Sequence, residues 1–200
     1  MAIPKILHLI WLGDKTCPDY SNIVNFFEQQ KWDIKLWGEQ HINPIYFSEE
    51  EINLINRFPK TIQRADALRL IVVKKYGGVY MDMDFDIVKP IDELLNCPAF
   101  VGREDEDKLC NAIFGAERNS DFLECQIGKL SAMPNDHRVW GIKLMTDIAV
   151  GCADFPVVIY PQEYFYPYPW HEENPENKKP KENTYLMHRW EQSWWEGKNK

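Results

Sequence analysis

Residues 61–87 read TIQRADALRLIVVKKYGGVYMDMDFDI, and they change from a helical pattern to a strand pattern at a pair of glycines. The stretch from Thr61 to Tyr76 contains neither Gly nor Pro and predicts a helix that ends at Gly77. The residues that follow alternate, so that apolar side chains face one side of the predicted strand and polar side chains the other. A helix that leads directly into a strand indicates an α/β domain. The polar face consists of Tyr80, Asp82, Asp84 and Asp86.

This acidic face is unusual for a strand that simply meets water. Carboxylates in a row repel one another, and Asp is a poor strand former. A solvated strand face usually mixes Thr, Lys and Ser, whereas a bound cation would neutralise the row. Because carboxylate oxygens suit hard ions, the pattern favours a site for Mg²⁺ or Mn²⁺.

The rest of the chain predicts a mostly parallel sheet flanked by helices. Residues 6–12 and 32–37 are predicted strands, and residues 20–30 between them are a predicted helix, so the chain begins as a β–α–β unit. Ser48 is a predicted cap for a helix that reaches Asn56. Residues 161–183 are rich in Pro, Tyr and charge and predict a loop outside the core. We expect one domain over residues 1–200, with further strands at 99–102, 111–115 and 157–160 and further helices at 121–130 and 141–150.

The composition excludes several classes of protein. The formal charge of −8 argues against a nucleic-acid binder, since no basic surface would neutralise phosphates. No stretch is apolar and long enough to span a bilayer. The apolar N-terminus is interrupted by Pro4, Lys5 and His8 and is not followed by a signal-peptide cleavage site.

The five cysteines are odd in number and widely spaced, and no two form a Cys-x-x-Cys pair. This pattern predicts reduced, mostly buried thiols rather than a disulfide framework or a zinc site. We therefore expect a cytoplasmic protein. The cysteines are Cys17, Cys97, Cys110, Cys125 and Cys152.

Asp66 and Arg69 are three residues apart and share one face of the predicted helix. They have two interpretations from the sequence alone. They form an ordinary surface ion pair, which contributes little, or they border the same pocket as the acidic strand, with Arg69 facing phosphate or sugar hydroxyls. Gly77 and Gly78 predict a tight connection that needs positive φ, rather than a phosphate-binding loop.

Four blocks of the chain, in order, resemble the DXD-containing sugar-transferase family of glycosyltransferases. That family includes capsular polysaccharide transferases, yeast-type initiating α-mannosyltransferases and, more distantly, the glucosylating bacterial toxins. A single Asp-x-Asp is a weak signal, but four blocks in the family's order and spacing are a strong one. The blocks are IPKILHLIWLG at 3–13, ADALR at 65–69, YGGVYMDMD at 76–84 and YLMHRWEQSW at 185–194.

The resemblance implies a GT-A-type fold, a nucleotide-sugar donor and a divalent cation, usually Mn²⁺, with Mg²⁺ as the alternative. Asp82 and Asp84 match the Asp-x-Asp motif itself, and we expect Asp84 to bind the cation directly. His188 would complete the cation's ligands if the C-terminal segment, residues 184–195, folds back over the donor. The alternative for His188 is an ordinary surface histidine, and the role of Asp86 stays open.

The resemblance also assigns the donor contacts. Trp11 ends the first strand and would lie against the nucleotide base, unless it is a core residue that closes the sheet. Asp66 and Arg69 correspond to the pair that holds the ribose or sugar and the phosphate, and Arg69 joins the two aspartates of the motif as a catalytic residue. The remaining expected donor contacts are Tyr80, Ser193 and Trp194, the last two in a C-terminal lid.

The implied activity is transfer of a hexose, with retention of configuration, from a nucleotide sugar to a hydroxyl of a glycan or glycolipid. A UDP-sugar is the favoured donor, with GDP-mannose as the alternative. One departure from the family lies at residues 140–143, where relatives often carry a Gly-Pro pair before a helix and this chain has Ile142 after Gly141. This difference bears on the acceptor-side loop and not on the donor site. Two other interpretations are an aspartate-based metal phosphohydrolase, which usually has Thr where Asp86 stands, and a non-catalytic carbohydrate-binding module. The second leaves the aspartates unexplained.

Overall fold

The computed structural model describes residues 2–133, 147, 150–152 and 154–191, which form eight strands and five α-helices. The strands are β1 (Ile6–Ile10), β2 (Asp33–Trp37), β3 (Gly78–Met81), β4 (Phe85–Ile87), β5 (Ala99–Arg103), β6 (Leu109–Ala116), β7 (Val158–Tyr160) and β8 (Leu186–His188). The helices are α1 (Ser21–Gln29), α2 (Glu49–Asn56), α3 (Thr61–Tyr76), α4 (Asp121–Ala132) and α5 (Gln162–Phe165). Most predicted elements are confirmed to within a few residues, and the predicted helix at 141–150 falls almost entirely outside the described residues.

A six-stranded sheet forms the centre of the molecule, in the order β2-β1-β3-β6-β5-β7. Strand β6 pairs antiparallel with both of its neighbours, and the other pairings are parallel. The predicted mostly parallel sheet is therefore confirmed. Because β1 and β3 are adjacent and parallel, the residues that follow them meet at one carboxyl edge, where open α/β sheets bind ligands.

The junction between α3 and β3 is built from the two glycines. Gly77 has φ of 69° and Gly78 has φ of 107°, which confirms the predicted tight connection. A Cβ atom at Gly78 would collide with the carbonyl oxygen of Ile6 on the neighbouring strand. The connection therefore brings β3 close against β1 and leads the chain from the helix directly to the acidic motif.

The acidic residues do not lie on one strand, and that part of the prediction is wrong. Strand β3 ends at Met81, residues 83 and 84 form a turn, and β4 leaves the central sheet to pair antiparallel with β8. Asp82 directly precedes this turn and Asp84 is its last residue. The strand stops here because Asp is a poor strand former and carboxylates that follow one another on one strand face repel. The turn ends the strand but still brings the two carboxylates together.

One expectation about the C-terminal third of the chain is also wrong. Phe165, Tyr166 and Tyr168 lie in the region predicted as a loop outside the core, yet all three are buried, because large aromatic side chains gain more from burial than the Pro-rich composition suggests. Strand β8 was not expected either, since three residues are too few for a pattern to show.

The cysteine prediction is wrong for two of the five residues. Cys125 on α4 forms a disulfide with Cys152, whereas Cys17, Cys97 and Cys110 are free thiols. A separation of 27 residues in sequence carries no sign of this contact, because it depends on how the chain returns to α4. The expectation of a reduced, cytosol-like environment therefore loses its main support.

His8 is a fully buried histidine in β1 with both ring nitrogens hydrogen-bonded. Its Nε2 donates to the carbonyl of Gly77 over 2.8 Å, and its Nδ1 accepts from the indole of Trp37 over 3.0 Å. A second proton on the ring would occupy Nδ1, which could then no longer accept the hydrogen bond from Trp37. Burial is the main reason that the pKa of His8 is lowered from 6.5 to about 4.

We expect this histidine to make the protein less stable as the pH falls from its unfolded pKa toward its folded one. The unfolded chain takes up a proton there that the folded chain excludes, so the free energy of unfolding decreases by up to about 1.4 kcal/mol per pH unit. Urea unfolding between about pH 7 and pH 5 measures the slope. His8→Gln keeps a donor and an acceptor without titrating and should lack this component. Equal slopes in the two proteins would contradict the assignment.

Candidate active site

Helix α3 carries Asp66 and Arg69 on its inner face, and both side chains are buried, with exposures of 7% and 4%. Arg69 Nη2 lies 3.2 Å from Asp66 Oδ1. Asn111 on β6 forms hydrogen bonds with both residues. Its side-chain amide donates to Asp66 Oδ1 over 2.9 Å, and its backbone carbonyl accepts from Arg69 Nη1 over 2.9 Å. The interpretation as an exposed surface ion pair is therefore wrong. The pair is fixed in the interior, next to the end of β3.

Arg69 connects this pair to the acidic turn. Its Nη1 is 3.5 Å from Asp82 Oδ1, and its guanidinium lies over the ring of Tyr80 at 4.5 Å. The hydroxyl of Tyr80 donates to the same oxygen of Asp82. One carboxylate oxygen of Asp82 is thus held by two groups of the chain, and the other faces His188.

Asp82, Asp84 and His188 form a cluster in which one ligand atom from each lies within 4.8 Å of the other two. Nε2 of His188 is 3.0 Å from Asp84 Oδ1 and 3.9 Å from Asp82 Oδ2. The pairing of β8 with β4 positions the histidine, because His188 stands opposite Phe85, the residue after Asp84. The expected return of the C-terminal segment to the acidic motif is what the structure shows for residues 184–191.

Asp84 is held from the opposite side by the same segment. Its Oδ2 accepts from the backbone N–H of Glu191 over 3.0 Å, and its carbonyl accepts from the N–H of Arg189 over 2.8 Å. Asp84 and Asp82 therefore each have one oxygen held by the protein and one directed toward the imidazole of His188. Two oxygens and one nitrogen that converge in this way form a set of ligands suited to Mn²⁺ or a similar divalent ion.

The ring of His188 is enclosed by aromatic side chains and is 7% exposed. The rings of Trp190 and Phe85 lie 4.2 Å and 4.6 Å from it, centre to centre. Its Nε2 faces the Asp84 carboxylate at 3.0 Å, and its Nδ1 makes no hydrogen bond to any other described residue. A cation bound between Asp82 and Asp84 would take the lone pair of Nε2. The chemistry of the cluster therefore fits a metal ion.

The charges of the cluster also favour a cation. Burial raises the pKa of Asp82, with the Asp84 carboxylate adding to the effect and Arg69 opposing it. Burial alone would also raise the pKa of Asp84, but the adjacent His188 and the N–H of Glu191 lower it below its ordinary value. Asp66 is buried as well, and burial raises its pKa against the effect of Arg69. One guanidinium thus faces two carboxyl groups, and the Asp84 carboxylate adds a third negative charge beside Asp82.

The remaining predicted site residues are placed as follows. Trp11 is half-buried just beyond the carboxyl end of β1, beside the strand that leads to Asp82, and its indole donates to the carbonyl of Lys15 over 2.7 Å. Asp86 points away from the cluster and pairs with Arg189 over 2.8 Å. Ser193 and Trp194 lie outside the described residues.

Asn111 and Glu191 were not expected from the sequence. Asn111 is a polar residue within the apolar strand sequence LCNAIFGA, and that interruption is a signal that was available. Glu191 acts through its backbone N–H, which carries no residue-specific signal. The contact of Asn111 was therefore predictable from the sequence, and the contact of Glu191 was not.

An open, mostly parallel sheet with an acidic motif at its carboxyl edge is the architecture of the GT-A-type glycosyltransferases. Two solved structures of glycosyltransferases share the fold, each with a TM-score of 0.51. One is PaToxG glycosyltransferase, at 16% identity over 75% of this chain and 69% of that one. The other is a glycosyltransferase involved in the glycosylation of the major capsid of PBCV-1, at 12% identity over 92% of this chain and 93% of that one.

Residues 11–101 match the family described as the glycosyltransferase sugar-binding region containing DXD motif. The resemblance expected from the sequence is therefore confirmed. A curated relative, inositol phosphoceramide mannosyltransferase 1 of Schizosaccharomyces pombe, is 32% identical over 139 residues, which are 64% of this chain and 43% of the relative. Mannosyl phosphorylinositol ceramide synthase SUR1 of Saccharomyces cerevisiae is 27% identical over 80% of this chain and 42% of its own. The chain thus spans less than half the length of these relatives.

Proposed function

We propose that this protein is a metal-dependent glycosyltransferase that moves a hexose from a nucleotide sugar to a hydroxyl group of a glycan or glycolipid. The observation that carries the proposal is the convergence of Asp82, Asp84 and His188 beside the buried pair of Asp66 and Arg69. A cluster of carboxylates next to the guanidinium of Arg69 provides a binding place for a cation and for phosphate at one edge of the sheet.

Asp82, Asp84 and His188 would hold the cation, with Asp84 as a direct ligand. When bound, the cation supplies positive charge against the diphosphate of the donor and of the departing nucleoside diphosphate. Arg69 is held rigidly by three neighbours and carries its charge at the same place, so it needs no reorganisation as negative charge develops. In this proposal Asp66 fixes the guanidinium through Oδ1 and accepts a hydrogen bond from a donor hydroxyl.

The donor and acceptor are proposed more broadly. The flat indole of Trp11 lies at the same edge of the sheet and suits contact with a nucleotide base. A UDP-sugar remains the favoured donor, and the mannosyltransferase relatives keep GDP-mannose as the alternative. Since these relatives are named for inositol phosphoceramide, a glycolipid acceptor is part of the proposal. Retention of configuration follows from the family resemblance, and Ser193 and Trp194 remain proposed donor contacts.

The location of the protein is a separate matter. None of the described helices is long and apolar enough to cross a lipid bilayer. A cytoplasmic location stays a prediction from the sequence. The bond between Cys125 and Cys152 weighs against it, because disulfides persist mainly in oxidising compartments.

The proposed function is tested by calorimetric titration of UDP-glucose, UDP-galactose and GDP-mannose into the protein, with Mn²⁺ and then with excess EDTA. We expect one of these donors to bind in Mn²⁺ and to lose binding in EDTA, and mass spectrometry to detect its slow hydrolysis or its transfer to a glycolipid. Failure of every nucleotide sugar to bind, combined with Mn²⁺-dependent hydrolysis of simple phosphoesters, would favour the phosphohydrolase instead.

A further inference from the structure

Beside the cation site the structure holds polar atoms that the proposed function has not used. The carboxyl group of Glu104 is 4% exposed, and its Oε2 has no hydrogen bond to any described residue. The same is true of the Tyr166 hydroxyl, on a side chain that is fully buried, and of Nδ1 of His188. Each of these atoms in a native interior calls for an explanation.

The three groups belong to one region of the fold. The ring of Tyr166 stands edge-on to that of His188, with centres 5.8 Å apart. Tyr166 also packs against Gly102 on β5, so closely that a Cβ atom there would lie 2.9 Å from its Cε2. Glu104 follows Gly102 by two residues, and Cys110 stands opposite Gly102 on β6.

Electrostatic interactions within this group support the same placement. The thiol of Cys110 interacts with both the Glu104 carboxyl group and the Tyr166 hydroxyl, and burial raises its pKa to about 12. Burial also raises the pKa of Glu104, against the effect of Lys108 and the smaller effect of His188. Glu104, Cys110 and Tyr166 therefore form one buried group, and the contact between the rings of Tyr166 and His188 joins this group to the imidazole.

The burial of Glu104 is specific to that position. It lies at the end of β5, where the chain turns toward β6, and the charged residues Glu106, Asp107 and Lys108 of the same turn are exposed. An unpaired buried acid is costly. The fold nevertheless keeps the Glu104 side chain inside.

We propose that Glu104 is a positioning residue for His188: its buried carboxyl group and the Tyr166 hydroxyl, which make no direct hydrogen bond to Nδ1 in this structure, bind Nδ1 through a shared water molecule and so keep Nε2 directed at the cation. A histidine that binds a metal through one ring nitrogen generally donates from the other to a carboxylate, carbonyl or water. This contact fixes both the tautomer and the orientation of the ring. The inference rests on the proposed role of His188 as a cation ligand.

Mn²⁺ binding to the wild-type chain and to Glu104→Gln tests this inference. Electron paramagnetic resonance measures free Mn²⁺ directly, and pulsed measurements on bound Mn²⁺ detect the imidazole nitrogen. Removing such a partner typically weakens metal affinity by about 10- to 100-fold, and we expect a loss in this range with a weaker nitrogen signal. Glu106→Gln is the matched control, because it removes the same charge two residues away from an exposed side chain and should bind as wild type does.

The outcomes separate this inference from the proposed function. If wild-type protein does not bind Mn²⁺, the proposed function fails and this inference fails with it. If wild type binds Mn²⁺ with a nitrogen signal that His188→Ala lacks, but Glu104→Gln matches Glu106→Gln, only the role of Glu104 is overturned. Should Glu104→Gln fold poorly, Tyr166→Phe takes its place, since it removes the other partner and is expected to weaken Mn²⁺ binding in the same direction. Unchanged affinity in Tyr166→Phe would then overturn the inference.

Discussion

The substitution Asp84→Asn is expected to abolish metal-dependent turnover of the nucleotide-sugar donor. Asp84 directs one oxygen at His188 while the N–H of Glu191 holds the other, so the amide replaces the charged ligand atom without a change in size. Loss of a cation that contributes several kcal/mol of transition-state stabilisation corresponds to about a 1,000-fold decrease in kcat/KM. Donor hydrolysis or transfer in Mn²⁺ measures the effect, and thermal unfolding should show a folded protein.

The chain provides a closely matched control for this substitution. Asp86→Asn makes the same chemical change two residues away, where the carboxylate pairs with Arg189 at the surface and is half exposed. An ion pair of this kind contributes little to stability, and Asp86 lies outside the cation cluster. Its turnover should remain close to that of wild type. Full Mn²⁺-dependent activity in Asp84→Asn would show that the site has been assigned to the wrong carboxylate.

Arg69→Met is expected to have the second large effect, on both stability and donor binding. The guanidinium is buried between Asp66 and Asp82 and also donates to the carbonyl of Asn111. Its removal leaves the buried carboxylate of Asp66 and the partly buried carboxylate of Asp82 without their common partner, and breaking a buried ion pair costs about 3–5 kcal/mol. Urea unfolding measures that loss, and the remaining folded protein should bind nucleotide sugar weakly.

Arg64→Met on the same helix is the control for this prediction. Arg64 makes a two-point ion pair with Glu39, with distances of 2.9 Å and 2.6 Å, but the pair is partly exposed. We expect a stability loss below about 1 kcal/mol, in the range of surface ion pairs. Similar losses in the two variants would mean that burial of Arg69 between the carboxylates is not what stabilises this region.

Much of the fold is predictable because its elements carry strong local patterns. Helix α3 begins and ends where the sequence indicates, since the stretch is free of Gly and Pro until Gly77. The capping box of Ser48 and Glu51 is likewise present at the start of α2. The parallel arrangement of β1 and β2 follows from the short helix between them.

The parts that were not predictable depend on contacts between distant residues. Strand β4 leaves the central sheet to pair with β8, about a hundred residues later in the chain. The disulfide of Cys125 and the burial of Tyr166 have the same origin. Asp82, Asp84 and His188, which the family resemblance groups as cation ligands, do lie together in the structure, although no local pattern relates His188 to the acidic motif.

The central claim is that a divalent cation binds between Asp82, Asp84 and His188. Diffraction from crystals soaked in Mn²⁺ and UDP, measured on both sides of the manganese absorption edge, tests this claim most directly. The account predicts one anomalous peak within bonding distance of an Asp84 oxygen and His188 Nε2, next to the diphosphate and Arg69. A nucleotide bound with its manganese peak away from these residues, or with no peak at all, would contradict it.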